Sequence, residues 1–342
     1  MFRLLCYTFS KVYGDFMKKI IIVISIIFLM FSIGFIFVIN TDSFKRFFIT
    51  SAMSSMNHQY LAYILYDEDT INEVMMSNYV EEVDENIKLD KIKIGKFINK
   101  SKYDKEILNR DKDSIYKIIK IKEDKFIGYL TVIYDPSNVQ LGISSRLGKA
   151  GESVNTIVSN NNALVGINGG GFEDIDGFGN GSKPYGYIIK DRKIVWNNSF
   201  GYDNLIGFNV DNKLFITKKN AEDAIRMGMR DAISFGPILM LNGKSSKVYG
   251  DGGWGIAPRT AIGQRKDGIV LFLVIDGRLP GHSIGADMND VIRILKRYGA
   301  YNAANLDGGA STTMSVKGKL YNRPSAGERY GGRKVSNAWI VK

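Results

Sequence analysis

The sequence predicts an α+β fold, a mixed and largely antiparallel sheet with packed helices, preceded by an N-terminal transmembrane helix. Three observations carry this. Residues 20–39, IIIVISIIFLMFSIGFIFVI, contain no charge, and as a helix they are long enough to cross the roughly 30 Å hydrocarbon core. From Ile115 onward, short apolar alternations are punctuated by Gly, Asn, Asp and Pro turns, as in antiparallel strands. One passage, Val270 to Asp307, reads strand, helix, strand, which places a local crossover inside the sheet.

The apolar run is preceded by Lys18 and Lys19 and followed by Asn40, Thr41 and Asp42. That asymmetry puts residues 1–19 in the cytoplasm and everything after 39 outside, in a single-pass protein of the cell membrane. A cleaved signal peptide and a buried core helix are the alternatives, the first weakened by the absence of a small-x-small cleavage site. Met17, before two lysines, reads as an alternative start. Residues 40–100 form an extracytoplasmic helical stalk or connector. Within them Phe44, Phe48, Ala52, Met56, Tyr60 and Tyr63 recur three or four apart, which predicts one amphipathic helix over 44–66 that contains His58. The acidic stretch 67–90 can pack as a short helix.

Residues 101–342 form one α+β domain. Strands are expected from Ile115, over Phe126–Tyr134 and, after the turn Asp135-Pro136-Ser137-Asn138, over Val139–Ile143. Further strands are expected over Ala163–Asn168, Gly186–Ile189, Lys193–Trp196, Leu205–Asn209, Lys213–Thr217, Ile238–Leu241, Gly268–Ile275 and Ala300–Leu306. Helices are expected over Gly151–Asn160, Ala221–Gly228 and Ala286–Tyr298.

Composition removes several classes. With 342 residues, 45% hydrophobic and 24% charged, the chain has enough apolar material for a sizeable core and is not disordered. The net charge is +11, yet basic patches interleaved with aromatics are absent, so no nucleic-acid partner is expected. The single cysteine, Cys6, lies before the apolar run, so the exported part has no thiol chemistry and no disulfide. Two histidines, His58 and His282, do not make a zinc spacing.

Chemistry collects in four polar, glycine-rich clusters that follow apolar strands, where strand ends hold side chains rigidly and glycines admit a ligand close to backbone N–H groups. GINGGGFEDIDGFGNG (166–181) offers Asn168, Gly169 and the acids Glu173, Asp174 and Asp176; GWGIAPRTAIGQ (253–264) offers Arg259 and Thr260. VIDGRLPGHSIGAD (274–287) offers Asp276, Arg278 and His282; NAANLDGGASTTM (302–314) offers Asn305, Asp307, Gly308, Gly309, Ser311 and Thr312. Asp276 or Asp307 can supply a base or acid if burial raises its pKa. Arg259 and Arg278 offer donor forks suited to phosphate, or else pair with nearby aspartates. Turn caps are the plain alternative for the two aspartates, an ST-turn for Ser311 and Thr312, and a satisfied loop residue for His282. Asp174, Asp176 and Asn180 alternate oxygen donors around Gly177 and are candidate calcium or magnesium ligands, without the acid that closes a twelve-residue calcium loop. No other cofactor is expected. Arg329 to Lys334, RYGGRK, reads as a turn beside the last strand.

Together GINGGGF (166–172), RTAIG (259–263), DGR (276–278), NLDGGASTT (305–313) and RKVSNAWIV (333–341) resemble the phosphodiester glycosidase family, which includes the N-acetylglucosamine-1-phosphodiester α-N-acetylglucosaminidases. The likeness covers roughly 120–342, and TSAMSSMNHQYLA (50–62) looks like a leader of anchored Firmicute members. The resemblance implies that 101–342 is a catalytic domain whose polar positions match Asn168, Arg259, Asp276, Arg278, Asn305 and Asp307. It implies hydrolysis of a sugar-1-phosphodiester, N-acetylglucosamine-like, at the anomeric carbon–oxygen bond, on a cell-wall glycan or exopolysaccharide. Cleavage on the phosphorus side, and a non-catalytic module that binds cell-wall polyanions, are the alternatives. Gly170-Gly171 and Ala310 depart from the family pattern.

Overall fold

A computed structural model describes residues 2–55, 58–174, 179–198, 201–326 and 331–342, with side chains from residue 16 onward. The first helix, α1 (Phe2–Ile39), contains the segment Phe16–Ile39, whose length and mean hydropathy of 3.1 suffice to cross a membrane and of which none is buried. Thr41 then caps α2 (Asp42–Met53), its hydroxyl accepting from the Phe44 N–H. The helix expected over 44–66 breaks after Met53 and resumes as α3 (Tyr60–Leu65). The serines explain the break. Ser54 Oγ turns back onto Ser51 O at 3.1 Å and Ser55 Oγ meets His58 Nδ1 at 2.9 Å, so side chains compete with the helical backbone where it would continue. Helix α4 (Glu68–Ser77) is capped by Asp67 and packs with α2 and α3 around Ile49, Ala52, Ala62 and Ile71. Tyr66 Oη donates to Ile39 O at 2.6 Å, tying the end of α3 to the end of α1.

The remaining helices are α5 (Lys102–Leu108), α6 (Val154–Asn160), α7 (Ala221–Arg226) and α8 (Met288–Arg297). Five strands position the site: β1 (Val165–Asn168), β2 (Arg259–Arg265), β3 (Val270–Ile275), β4 (Ala300–Leu306) and β5 (Asn337–Val341). The largest sheet has seven strands in the order 244–245, 238–241, β4, β2, β3, 127–133, 116–122, every pair antiparallel. Because β3 and β4 both run against β2, they are parallel to each other with β2 between, and α8 makes the crossover that the sequence predicts. A five-stranded sheet orders 319–320, 314–316, β1, β5 and 139–143; another orders 214–217, 205–209, 229–234, 187–190 and 193–197.

Strand periodicity sorts the core into layers. Leu271, Leu273 and Ile275 point to the face covered by Met288, Val291, Ile294 and Leu295 of α8. Their neighbours Val270, Phe272 and Val274 point to the other face, where Val165, Ile167, Phe208 and Trp339 of the smaller sheets pack. Helix α8 takes this place because its apolar residues recur three or four apart, Asp287 caps its start, and Lys296 and Arg297 sit where its C-terminal dipole favours cations.

One buried ion cluster spans this architecture. Arg265, at the end of β2, is fully buried and donates to Asp267 and, at 2.8 Å, to Asp104, the residue that completes the capping box of α5. Arg265→Met should lower unfolding stability by about 3–5 kcal/mol, because two buried carboxylates lose their cation; urea unfolding checks it.

Candidate active site

Register brings the chemistry to one end of the sheet. Arg259 lies opposite Ile275 and Thr260 opposite Leu306, so Arg259, Asp276 and Asp307 all emerge where β2 begins and β3 and β4 end. Asn168 ends β1 beside Ala338 of β5 and ties the two sheets together. Its amide donates to Asp307 O at 2.6 Å, while its Oδ1 accepts from Thr260 Oγ1 at 2.8 Å and from Thr313 N at 3.0 Å. The next residue must be glycine: a Cβ on Gly169 would lie 2.0 Å from Asn337 Oδ1. Gly169 O in turn accepts the Asp307 N–H. Asn168 and Gly169 thus fix the Asp307 backbone from the neighbouring sheet.

A pocket of about 210 Å3 opens at this end, lined by Asp307, Gly308, Gly309, Arg259, Arg278, Asp174, Arg333, Trp254 and, from the α2–α3 turn, Ser54, Ser55 and His58. Burial pushes the Asp307 carboxyl up to about 6, against the opposing pull of the Ser311 hydroxyl, Arg333 and the Gly308 N–H. Arg259 is buried and makes no ion pair among the described residues. It donates to Ala286 O at 2.9 Å, to Trp254 O at 2.6 Å and to Gly255 O. Burial and the charge of Arg278 bring its pKa down to about 10. Arg278 is exposed and likewise has no ion pair among the described residues. Its backbone sits at φ +57°, a left-handed conformation that costs a non-glycine residue roughly 1 kcal/mol or more, and its N–H is held by Ile284 O at 2.9 Å. Gly309, at φ +58°, lies alongside: a Cβ there would meet Arg278 Nη1 at 3.4 Å. Among the described residues, then, neither arginine makes the carboxylate ion pair that the sequence left open.

The expected residues divide into two groups. Asp307, Arg259, Arg278, Gly308 and Gly309 line the pocket, whereas Asp276 does not. Its carboxylate is fully buried, with Oδ2 against His282 Nε2 at 2.9 Å and Oδ1 accepting from Asn322 Nδ2 at 2.9 Å and Arg323 N at 3.1 Å. Asn322 also donates to Thr312 O at 3.2 Å, which ties Asp276 to the segment that follows Ser311. Asn305 donates to Gly236 O at 3.0 Å, and its buried Oδ1, like Thr312 Oγ1, has no partner among the described residues. Asp174 lines the pocket, but its oxygens are engaged by the Gly179 N–H and Arg333. Asn180 Oδ1 accepts from Ser182 N at 3.1 Å, and Asp176 lies outside the described residues. The described residues contain no cluster of three His, Cys, Asp or Glu able to hold a metal.

Sequence reasoning missed four contributors. Arg333, read as part of a turn, crosses to Asp174 and stacks 4.7 Å over Phe172. Trp254 sits at the pocket wall, stacked on Tyr202 at 6.3 Å. Tyr202 has a phenol whose pKa is raised first by burial and then by the Asp307 charge. His58, read as a local contact in a stalk, reaches the pocket with Ser54 and Ser55. RKVSNAWIV was a signal for Arg333, GWGIAPRTAIGQ contains Trp254 and TSAMSSMNHQYLA contains His58; nothing local in the sequence marks Tyr202.

Among known proteins, the chain is 29% identical over 203 residues to the SPbeta prophage-derived uncharacterized protein YomE of Bacillus subtilis. The alignment takes in 56% of this chain and 30% of that protein, so the chain spans less than a third of this curated relative. In fold it resembles the catalytic domain of zebrafish N-acetylglucosamine-1-phosphodiester alpha-N-acetylglucosaminidase, auto-inhibited by its pro-peptide, at TM-score 0.55 and 23% identity over 68% of this chain and 85% of that one. A putative exported protein from Burkholderia pseudomallei aligns at TM-score 0.49 and 18% identity over 63% of this chain and 74% of that one. The phosphodiester glycosidase family profile matches residues 161–342, more than half of the chain and the stretch that contains Asn168, Arg259, Arg278 and Asp307. On that match, the chain belongs to the phosphodiester glycosidase family.

Proposed function

We propose, within the hydrolysis of phosphodiester glycosidase type that family membership gives, that this chain cleaves a sugar-1-phosphodiester, N-acetylglucosamine-like, at the anomeric carbon–oxygen bond. It does so outside the membrane, on a glycan or wall polymer, from a catalytic domain comprising 101–342 held to the bilayer by residues 20–39. The observation that carries this reading is one pocket with two arginines that make no ion pair among the described residues and one carboxyl whose pKa is raised to about 6. The arginines match a phosphodiester anion, and the carboxyl is tuned to accept a proton near neutral pH.

In the step, a water oxygen bonds to the anomeric carbon and gives its proton to Asp307. The bond to the phosphate oxygen breaks, and the electron pair leaves with the phosphomonoester. Arg259 and Arg278 neutralise the charge gathering on that leaving group, and Arg259 arrives already oriented by three carbonyls, so little reorganisation accompanies the reaction. Trp254 offers an apolar wall to the sugar ring. Asp276 acts as a positioning residue, holding His282 and the 322–323 segment.

The test is hydrolysis of methyl-phospho-N-acetylglucosamine by the full chain in 18O-labelled water, with products read by mass. Label in the sugar hydroxyl is expected. Label in the phosphate means attack at phosphorus and overturns the mechanism; anion binding without product overturns the enzyme reading in favour of a polyanion-binding module.

A further inference from the structure

Beside the pocket lies a second hollow that the reaction does not use. A groove of about 240 Å3, mostly apolar, runs beside α2 and is lined by Phe47, Phe48, Ala52 and Leu61 before it reaches Ser55, His58 and Arg278. Those last three residues border the arginine pocket as well, so the groove and the pocket meet at the arginine assigned to the phosphate. At its other end the groove follows α2 back toward α1. Helix α2 is twelve residues long, about 18 Å at 1.5 Å per residue, and only Asn40 and Thr41 separate it from Ile39. Tyr66 Oη on Ile39 O holds the second helix of the turn at the same level. The surrounding surface is also suited to a bilayer interface: Phe47, Tyr60, Tyr63 and Ile64 are all exposed, and aromatic side chains favour the headgroup region.

We infer that the substrate is a lipid-linked sugar phosphodiester, whose sugar and phosphate enter the arginine pocket while its hydrocarbon chain lies in the α2 groove. This rests on the function proposed above and narrows it to an amphiphile presented by the same bilayer that holds α1. Geometry supports that source. The pocket stands within about one short helix of the membrane end of α1, a reach that suits a headgroup at the surface. The apolar lining begins where the charged pocket stops, in the order chain, phosphate, sugar. Hydrolysis then releases free sugar and leaves the lipid monophosphate in the groove, so the product requires a reaction class that removes or reuses a lipid phosphate.

The experiment uses the full chain reconstituted in phosphatidylglycerol–phosphatidylcholine vesicles, with farnesyl-phospho-N-acetylglucosamine and methyl-phospho-N-acetylglucosamine compared by kcat/KM. A preference of about tenfold or more for the farnesyl compound is expected from burial of a few methylene groups. Partition into the bilayer would also favour that compound, but equally for any variant. Phe47→Asp and Leu61→Asp are therefore measured alongside, and each is expected to cut the farnesyl-to-methyl ratio by about the same factor. Phe47 is 44% exposed, so its replacement leaves the helix packing intact. Equal rates on both compounds, or a preference unchanged in both variants, overturn the lipid assignment while leaving the hydrolase reading standing. If neither compound is cleaved, the hydrolase reading falls, and calorimetric titration with farnesyl phosphate against inorganic phosphate still judges the groove. Tighter farnesyl phosphate binding that Phe47→Asp abolishes supports it; equal affinity overturns it.

Discussion

Replacing Asp307 by Asn is expected to lower kcat by roughly a thousandfold and, in the same protein, to raise the melting temperature at neutral pH. Both effects follow from burial. The folded carboxyl titrates at about 6 instead of its ordinary 3.8 because the pocket disfavours its charged form. The folded state therefore binds the proton more tightly than the unfolded chain does, and stability falls as pH rises from about 4 to about 6. Above that window ionised Asp307 costs the fold up to about 3 kcal/mol, since a tenfold difference in proton affinity is worth about 1.36 kcal/mol. Asparagine carries no charge, so the variant should lose this slope and melt higher at pH 7. The wild-type kcat/KM should rise with pH through about 6 and then level. Calorimetric melts across pH and matched rate profiles check both halves; a variant that retains turnover, or a wild type with no acid limb near 6, removes Asp307 from the chemistry.

Arg278→Ala should reduce kcat/KM by about a hundredfold to a thousandfold, the usual loss for one preorganised donor aimed at developing charge. The structure adds a readout that needs no substrate. Arg259 and Arg278 are close enough for the charge of Arg278 to help depress the Arg259 pKa, so the two guanidinium groups repel one another. Inorganic phosphate should relieve that repulsion and raise the melting temperature of the wild type. Arg278→Ala removes one of the two charges, and its phosphate-dependent shift should be far smaller. Equal shifts in both proteins would mean that phosphate binds elsewhere.

Those arginines were legible in the sequence, and so was most of the scaffold, because the signals are local. Strand Val139–Ile143 was bounded by its Asp-Pro turn, and β4 by Gly299 before it and Asp307 after it. Helix α8 announced itself through an apolar stripe at helical spacing. What remained hidden depends on contacts between distant segments. Asp276 and Asp307 each follow an apolar strand and precede a glycine, so nothing nearby tells which one faces the pocket; Asn322, forty-six residues away in the chain, settles that Asp276 is occupied elsewhere. The helix expected over 44–66 failed for a local reason that periodicity overlooks, since Ser54 and Ser55 lie between stripe positions and turn their hydroxyls onto neighbours. Arg333 needed Asp174, more than a hundred residues earlier, to give it a role.

The two arginines, which make no ion pair among the described residues, also set a limit on throughput on the proposed reaction. A phosphodiester substrate bears one negative charge, whereas the phosphomonoester left by the reaction approaches two near neutral pH. On the proposed reaction, two arginines facing the leaving group hold the product more tightly than the substrate, and turnover is then governed by departure. Such a catalyst should be inhibited competitively by the phosphomonoester it makes. Progress curves should bend early and straighten when a phosphatase is added. In a cell its rate would then follow the demand for the released phosphate compound, with no separate regulator.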